Sequence, residues 1–276
     1  MRPAQKRRII FVTGTDTGAG KTLLTSLLLS HLRQTGARAL AIKPFCSGGR
    51  ADAELLHALQ NGDLSLDEIN PFHFSDPIAP LVAARRQHRR IKFEDVLAHI
   101  HSVTACLAKI ENRKSRIENP ALLIEGAGGL LAPLGEPKSH SRITHHASRA
   151  YTALDLICAL NCRVIIVAPN RLGVINHTLL SVNALQASKS HEIKVILMDI
   201  DDHVSSRNTH RATRSPSPIT HHASLPAIRS NPSTLTELLS PIPLFHVPNL
   251  GKNPSKLGLI EPLAKKYKKT LAQILA

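Results

Sequence analysis

Ile9-Ile-Phe-Val-Thr-Gly-Thr-Asp-Thr-Gly-Ala-Gly-Lys-Thr-Leu-Leu24 is the stretch that decides how the rest of the chain is read. Its first four residues form an apolar run too short for a helix and rich in β-branched side chains, which predicts a buried strand. Leu24, Leu27, Leu28 and Leu32 then recur at helical spacing. Between strand and helix lies a glycine-rich turn carrying Lys21 and Thr22. Such a turn lets backbone N–H groups converge on an oxyanion, and the helix N-terminus adds its positive dipole end. Lys21 supplies a point charge for β- and γ-phosphates, and the Thr22 hydroxyl is placed for Mg²⁺. The spacing departs from the standard phosphate loop. Counting back from Gly20-Lys21, Thr15 holds the first-glycine position and Gly14 lies one residue early, so a strict pattern search misses it. No Gly-x-Gly-x-x-Gly is present, which excludes a dinucleotide fingerprint.

Working outward, similar apolar runs recur at 39–42, 121–124, 164–167, 195–198 and 244–247, most with helix-like stretches between them. Val96, Ile100, Val103 and Leu107, for example, mark one helical face. Continuous apolar strands alternating with amphipathic helices predict an α/β fold of the P-loop NTPase type, a mostly parallel sheet with helices on both faces. No boundary divides 1–276, which reads as a single domain. Residues 201–224 break the rhythm. They are rich in Ser, Thr, His, Arg and Pro without apolar periodicity, and are expected to form a flexible surface insertion. This segment contains Ile219-Thr-His-His-Ala-Ser224, a repeat of Ile143-Thr-His-His-Ala-Ser148. Neutral imidazoles bind metals, but adjacent histidines diverge on a helix or a strand and neither repeat supplies a carboxylate or cysteine. Biased composition or local duplication is the simpler reading.

Composition narrows the function classes. The chain has 276 residues, of which 42% are hydrophobic and 20% charged, so a packed core is expected. No apolar run approaches the roughly 18 residues of a membrane span, and 9–12 is too short for a signal-peptide core. Four cysteines make neither a disulfide framework nor a Cys-x-x-Cys zinc pattern. A reducing, cytoplasmic setting is expected. Net charge is +15, which suits a polyanion. With no Trp and scattered aromatics there is no stacking platform for bases. The basic clusters, Arg85-Arg86, Arg89-Arg90, Lys265-Lys266 and Lys268-Lys269, lie on distant segments and read as solvated surface. No nucleic-acid or membrane partner is expected.

Three further segments carry chemistry. The second strand runs into Lys43-Pro-Phe-Cys-Ser-Gly-Gly49, a loop expected at the carboxyl edge of the sheet, where parallel sheets bind ligands. There Lys43 brings a second positive charge to a transferred phosphoryl group or a carbonyl-derived anion. Asp52 opens the next helix, either as an N-cap or as a metal ligand. Glu125 ends the third strand in Ile124-Glu-Gly-Ala-Gly-Gly129, a carboxylate suited to a metal beside phosphates. Asn170-Arg-Leu-Gly-Val-Ile-Asn-His177 leads into a helix whose free N–H groups are able to hold a carboxylate; an ordinary capped turn explains it equally.

Taken together, Gly14-Thr-Asp-Thr-x-x-Gly-Lys-Thr22, Lys43-Pro-x-x-Ser-Gly48, Glu125-Gly-Ala-Gly-Gly129 and Leu172-Gly-x-Ile-Asn-His177 resemble, in order, the motifs of dethiobiotin synthases. These are ATP-dependent ligase-cyclases of biotin synthesis, in the deviant P-loop class. The likeness runs from Ile9 to about Ser188, and more weakly through Pro248-Asn-Leu250. It implies 7,8-diaminononanoate, CO₂ and ATP as substrates, Mg²⁺ as cofactor and a homodimer. It also implies a carbamate that attacks the γ-phosphate and a mixed anhydride closed by the neighbouring amine. Lys21, Lys43 and Thr17 match the catalytic positions, and Thr22, Asp52 and Glu125 the Mg²⁺ positions. The nucleotide positions fall on Gly18, Ala19, Gly20, Lys21, Thr22, Leu23, Asp52, Glu125, Gly126, Ala127, Gly128, Asp199, Pro248, Asn249 and Leu250. The diamine positions fall on Ser47, Leu172, Gly173 and Asn176, with the last three serving the neighbouring subunit.

Two departures bear on the base. Met198-Asp199 stands where the family commonly has Asn-Asp to read adenine, and 201–224 follows directly. Methionine covers a base without the paired hydrogen bonds of an amide, which predicts weak discrimination among nucleotides. The rival reading is a partitioning-type ATPase switch. Those proteins carry Gly-Lys-Gly-Gly-x-Gly-Lys-Thr, and their extra lysine would fall where this chain has Asp16.

Overall fold

The computed structural model describes residues 8–109, 120–136, 150–188, 192–199 and 225–276. The expected insertion at 201–224 and both copies of the histidine repeat lie outside the described residues. In chain order the first half contains β1 (Arg8–Gly14), α1 (Lys21–Gln34), β2 (Ala39–Ile42), β3 (Phe45–Ser47), α2 (Ala51–Leu59), α3 (Leu66–Ile69), β4 (Phe72–Phe74), α4 (Pro80–Arg86) and α5 (Phe93–Lys109). There follow β5 (Ala121–Gly129), β6 (Pro133–Gly135), β7 (Tyr151–Thr152), α6 (Ala153–Leu160), β8 (Arg163–Pro169), α7 (Val174–Ala187) and β9 (Ile193–Met198). The last elements are α8 (Leu225–Leu239), β10 (Leu244–Val247), α9 (Leu257–Lys266) and α10 (Lys268–Leu275).

All six apolar runs of the sequence become strands of one sheet, ordered β10-β9-β8-β1-β5-β2. Every pairing in it is parallel. Strands covered on both faces need no polar alternation, and β2 is accordingly buried at all four positions. Register sets the site. Val12 of β1 lies opposite Glu125 of β5 on one side and Ile165 of β8 on the other. After β1 the chain crosses to β2, whereas after β8 it moves the opposite way to β9. Divergence of this kind opens a crevice at the carboxyl ends of the two adjacent strands.

The two helices expected from leucine and valine spacing differ in their surroundings. On α5 only one face is buried, through Val96, Ile100, Val103 and Leu107. By contrast α1 is buried on every side from Leu23 to Leu32, because α9 and α10 pack over the face turned from the sheet. Each of its fully buried leucines contributes roughly 1.5–3 kcal/mol.

Two local expectations change. The stretch after β2 is not simply a loop, for β3 pairs in parallel with β4, and Phe45 stacks on Phe72 at 5.2 Å. Asp52 is not an N-cap. Arg50 occupies that position and Asp52 sits in the first turn of α2, because the Arg50 guanidinium is held by the Asn70 side chain and the carbonyls of Leu66 and Asn70. The Asp52 carboxylate is thereby left for another partner.

Candidate functional site

The turn between β1 and α1 is shaped by its glycines. Gly20 caps α1 at φ 94°, in the left-handed region that L side chains rarely adopt. Gly14 serves by its size. A Cβ there would stand 3.0 Å from Lys21 Nζ, so the early glycine makes room for the lysine to fold back over the loop. Lys21 is buried and donates to the Asp16 carbonyl at 2.8 Å. Burial pulls its pKa down to about 8, against the raising influence of Glu125, Asp52 and Asp16. Desolvation of this kind leaves a cation in need of an anion.

Beside Lys21, four side chains meet, from α1, α2, β5 and the link that follows β2. Thr22 Oγ1 donates to Glu125 Oε1 at 2.6 Å. Lys43 Nζ donates to the same oxygen at 2.7 Å, reaches Thr22 Oγ1 at 3.4 Å and forms an ion pair with Asp52. Burial by itself would lower the Lys43 pKa, but Glu125 and Asp52 outweigh it and hold the ammonium protonated. Burial would likewise raise Asp52, and the Lys43 charge reverses this, leaving the carboxyl below its ordinary range. Glu125 Oε2 is buried without a hydrogen-bond partner. An orphaned carboxylate oxygen beside a hydroxyl and a second carboxylate is a donor set for a hard cation that keeps most of its waters, as Mg²⁺ does.

These groups open into a cavity of about 1030 Å³ along the carboxyl edge of the sheet. At one end, next to Lys43, it is walled by Cys46, Ser47 and the 77–80 turn. Ser47 Oγ is buried and unpartnered. The Cys46 thiol is pushed up to about 11 by burial, partly offset by Lys43. In the middle, Asp16 Oδ1 accepts from the Thr17 N–H at 2.6 Å and Asp16 Oδ2 from Arg171 at 3.0 Å. This ion pair bridges the crevice between β1 and β8. The far end is lined by Asp199, Asn249, Leu250 and Asn253.

A family model described as an AAA domain matches residues 8–232. Among curated relatives, an ATP-dependent dethiobiotin synthetase BioD of Anaeromyxobacter sp. is 37% identical over 184 residues, 65% of this chain and 71% of the relative. That of Bacillus licheniformis is 34% identical over 242 residues, 86% of this chain and 90% of its own. The chain belongs to the ATP-dependent dethiobiotin synthetase family. Membership makes it an ATP-dependent ligase of biotin synthesis with a phosphate-loop nucleotide site. Among solved structures, the MinC:MinD cell division protein complex of Aquifex aeolicus aligns with a TM-score of 0.48 at 14% identity, covering 97% of this chain and 96% of that one.

The positions matched to dethiobiotin synthetase motifs mostly converge. Thr17, Gly18, Gly20, Lys21, Thr22, Leu23, Lys43, Ser47, Asp52, Glu125, Ala127, Gly128, Asp199, Asn249 and Leu250 all line the cavity. Ala19, Gly126 and Pro248 are outside its lining, with Ala19 buried beneath the loop. Leu172, Gly173 and Asn176 are exposed at the start of α7 and also lie outside the lining. Met198 departs from the expected role of covering a base: it is 2% exposed, packed in the apolar core, and absent from the cavity wall. Arg171, His177, Ser181 and the 77–80 turn do line the cavity, yet sequence reasoning gave none of them a role. Only Arg171 and His177 lay within a motif already singled out. No helix among the described residues is long and apolar enough to cross a membrane.

Proposed function

We propose that the cavity closes a cyclic urea on 7,8-diaminononanoate using CO₂ and ATP, giving dethiobiotin. The observation that supports this most is the meeting of Thr22, Lys43, Asp52 and Glu125 next to Lys21. One amine takes up CO₂ as a carbamate and releases a proton. A carbamate oxygen attacks the γ-phosphorus of ATP and ADP departs. The neighbouring amine attacks the carbonyl carbon of the resulting carbamic–phosphoric anhydride, and phosphate leaves with the ring closed. Phosphoryl transfer of this kind is mostly positioning and electrostatics. Lys21 neutralises charge on the β- and γ-phosphates. Lys43, whose carboxylate partners keep it protonated, faces the carbamate and the transferred group. Thr17 and Ser47 orient the carbamate and the diamine by hydrogen bonds.

Thr22, Asp52 and Glu125 would hold Mg²⁺, and the ion, when bound, supplies charge neutralisation between phosphate oxygens. The protein acts as a single domain in the cytoplasm and as a homodimer. Leu172 and Leu180, on the segment that carries Asn176, are 76% and 60% exposed. In the dimer Leu172, Gly173 and Asn176 receive the substrate carboxylate bound in the neighbouring subunit's cavity.

The test is to incubate the purified chain with the diamine, bicarbonate, ATP and Mg²⁺. Phosphate release should require the diamine, and mass spectrometry should find dethiobiotin. Diamine-independent hydrolysis, or no cyclic urea, would overturn the proposal.

A further inference from the structure

Lys43 and Asp52 form their ion pair from two separate segments, and one buried side chain ties those segments together. Asn70 follows α3 and is 0% exposed. Its Nδ2 donates to the Lys43 carbonyl at 2.8 Å and, more weakly, to the Pro44 carbonyl at 3.4 Å. Its Oδ1 accepts from Arg50 Nε at 3.2 Å. Arg50 is the N-cap of α2, the helix whose first turn carries Asp52, and its Nη2 donates to the carbonyls of Leu66 at 2.9 Å and Asn70 at 3.0 Å. Partner chemistry fixes the amide's orientation. A flipped Asn70 would set its NH₂ against the guanidinium and its oxygen against two carbonyls.

The support is anchored from behind. α3 is held at its start by the capping box of Ser65 and Glu68, and the Glu68 carbonyl accepts from His99 Nε2 of α5 at 2.8 Å. Backbone bonds already join the chain near Lys43. The Lys43 N–H donates to the Ile69 carbonyl at 2.9 Å, and the Phe72 N–H to the Pro44 carbonyl at 3.0 Å. What the Asn70 side chain adds is the orientation of the Lys43 peptide and its distance from the start of α2. Neither Asn70 nor Arg50 lines the cavity.

We propose that Asn70 is a positioning residue, which holds the Lys43 ammonium and the Asp52 carboxylate in place against Glu125, and that Arg50 keeps its amide turned toward Lys43. This rests on the reading that Lys43 faces the carbamate and the transferred phosphoryl group. A misplacement of about 1 Å at such a charge costs about 100-fold in rate. The flexible lysine stem recovers part of that loss.

Asn70→Ala should therefore lower kcat for dethiobiotin formation about 10- to 100-fold while KM for ATP stays within about threefold. Sites are counted by ADP titration, so unfolded protein does not enter kcat. The deciding readout is a cycle with Lys43→Ala. Acting through Lys43, Asn70→Ala should cost less than about threefold more in the Lys43→Ala background, with slow product followed by mass spectrometry. A merely structural Asn70 costs the same factor in both backgrounds. That result, or an unchanged kcat in Asn70→Ala, would overturn the proposal. Arg50→Gln leaves Asn70 in the core and removes the group that orients it; should Asn70→Ala not fold, the same cycle run with Arg50→Gln decides. A parent protein that forms no dethiobiotin would sink the proposed reaction, and a stability cycle then judges positioning alone. The Tm loss caused by Lys43→Met should shrink by about 2 °C or more in the Asn70→Ala or Arg50→Gln background. An identical loss in parent and variant would overturn the inference.

Discussion

Replacing Lys43 by methionine keeps most of the side chain's length and removes its charge, and the cost follows from the groups left behind. Lys43 Nζ lies 2.7 Å from Glu125 Oε1, whose side chain is 0% exposed. Its other partner, Asp52, is 51% exposed and is screened by water, so its share is discounted. Without Lys43, Glu125 keeps a single short hydrogen bond from Thr22 and becomes a buried anion with an orphaned second oxygen. Leaving one buried charge unpaired costs about 3–5 kcal/mol, and the lower figure applies where the cavity admits water. At about 2–4 °C per kcal/mol for a chain of this size, a cost of about 3 kcal/mol should make Lys43→Met lower Tm by about 6–12 °C. Adding Glu125→Gln removes the orphaned charge, so the double variant should recover about 2 kcal/mol relative to additivity. Mg²⁺ should raise the Tm of Lys43→Met more than that of the unaltered protein, since the ion replaces the missing cation. Urea denaturation and scanning calorimetry on the four proteins measure each quantity. A Tm unchanged within 2 °C of the parent, or a coupling energy below about 0.5 kcal/mol, would refute the electrostatic account of this cluster.

Lys21→Ala should lower turnover by about 100-fold or more, the scale of losing one oxyanion-stabilising group, with circular dichroism unchanged; near-normal turnover in a folded variant removes the phosphate-loop assignment. Glu125→Gln should raise the Mg²⁺ concentration needed for half-maximal activity, and Asp52→Asn should raise it less because that carboxylate is half-exposed; a Mg²⁺ titration indifferent to both would reduce them to structural roles. Thiol labelling should find exposed Cys158 first. Burial raises Cys46 from 9.0 to about 11 and Cys162 from 9.0 to about 12, so at pH 8 their thiolates are scarcer by about 100-fold and about 1000-fold than at the unshifted value. Fast modification of Cys46 that nucleotide does not slow would place it outside the cavity.

Much of the fold was legible because each sheet strand is buried on both faces, so its apolar run shows without any pairing information. The phosphate loop was legible despite its odd spacing because strand, glycine turn, lysine and helix are contiguous. What stayed hidden is tertiary. The Asp16–Arg171 pair joins residues 155 apart in sequence across neighbouring strands, and no local pattern reports it. Residues 77–80 wall the cavity beside Ser47 from a stretch with no motif of its own. Burial of α1 on all sides was invisible for the same reason, since α9 and α10 lie more than 200 residues later.

The end of β9 shows how a single residue of register changes the chemistry read from a sequence. Successive side chains of a strand point to opposite faces, so at a strand end one residue enters the core and the next the solvent or a ligand. Which is which depends on where pairing stops. Met198 pairs with Val247 and Pro169 at the last rung of β9, and its side chain completes the apolar layer. Asp199 donates its backbone N–H to the Val247 carbonyl, and its carboxylate turns to Asn170, His246 and the cavity. Alignment to a motif fixes the pair Met198-Asp199 but not the face each member takes. Register decides the face: Met198, withdrawn into the core, has no surface to offer a ligand, whereas Asp199 lines the cavity.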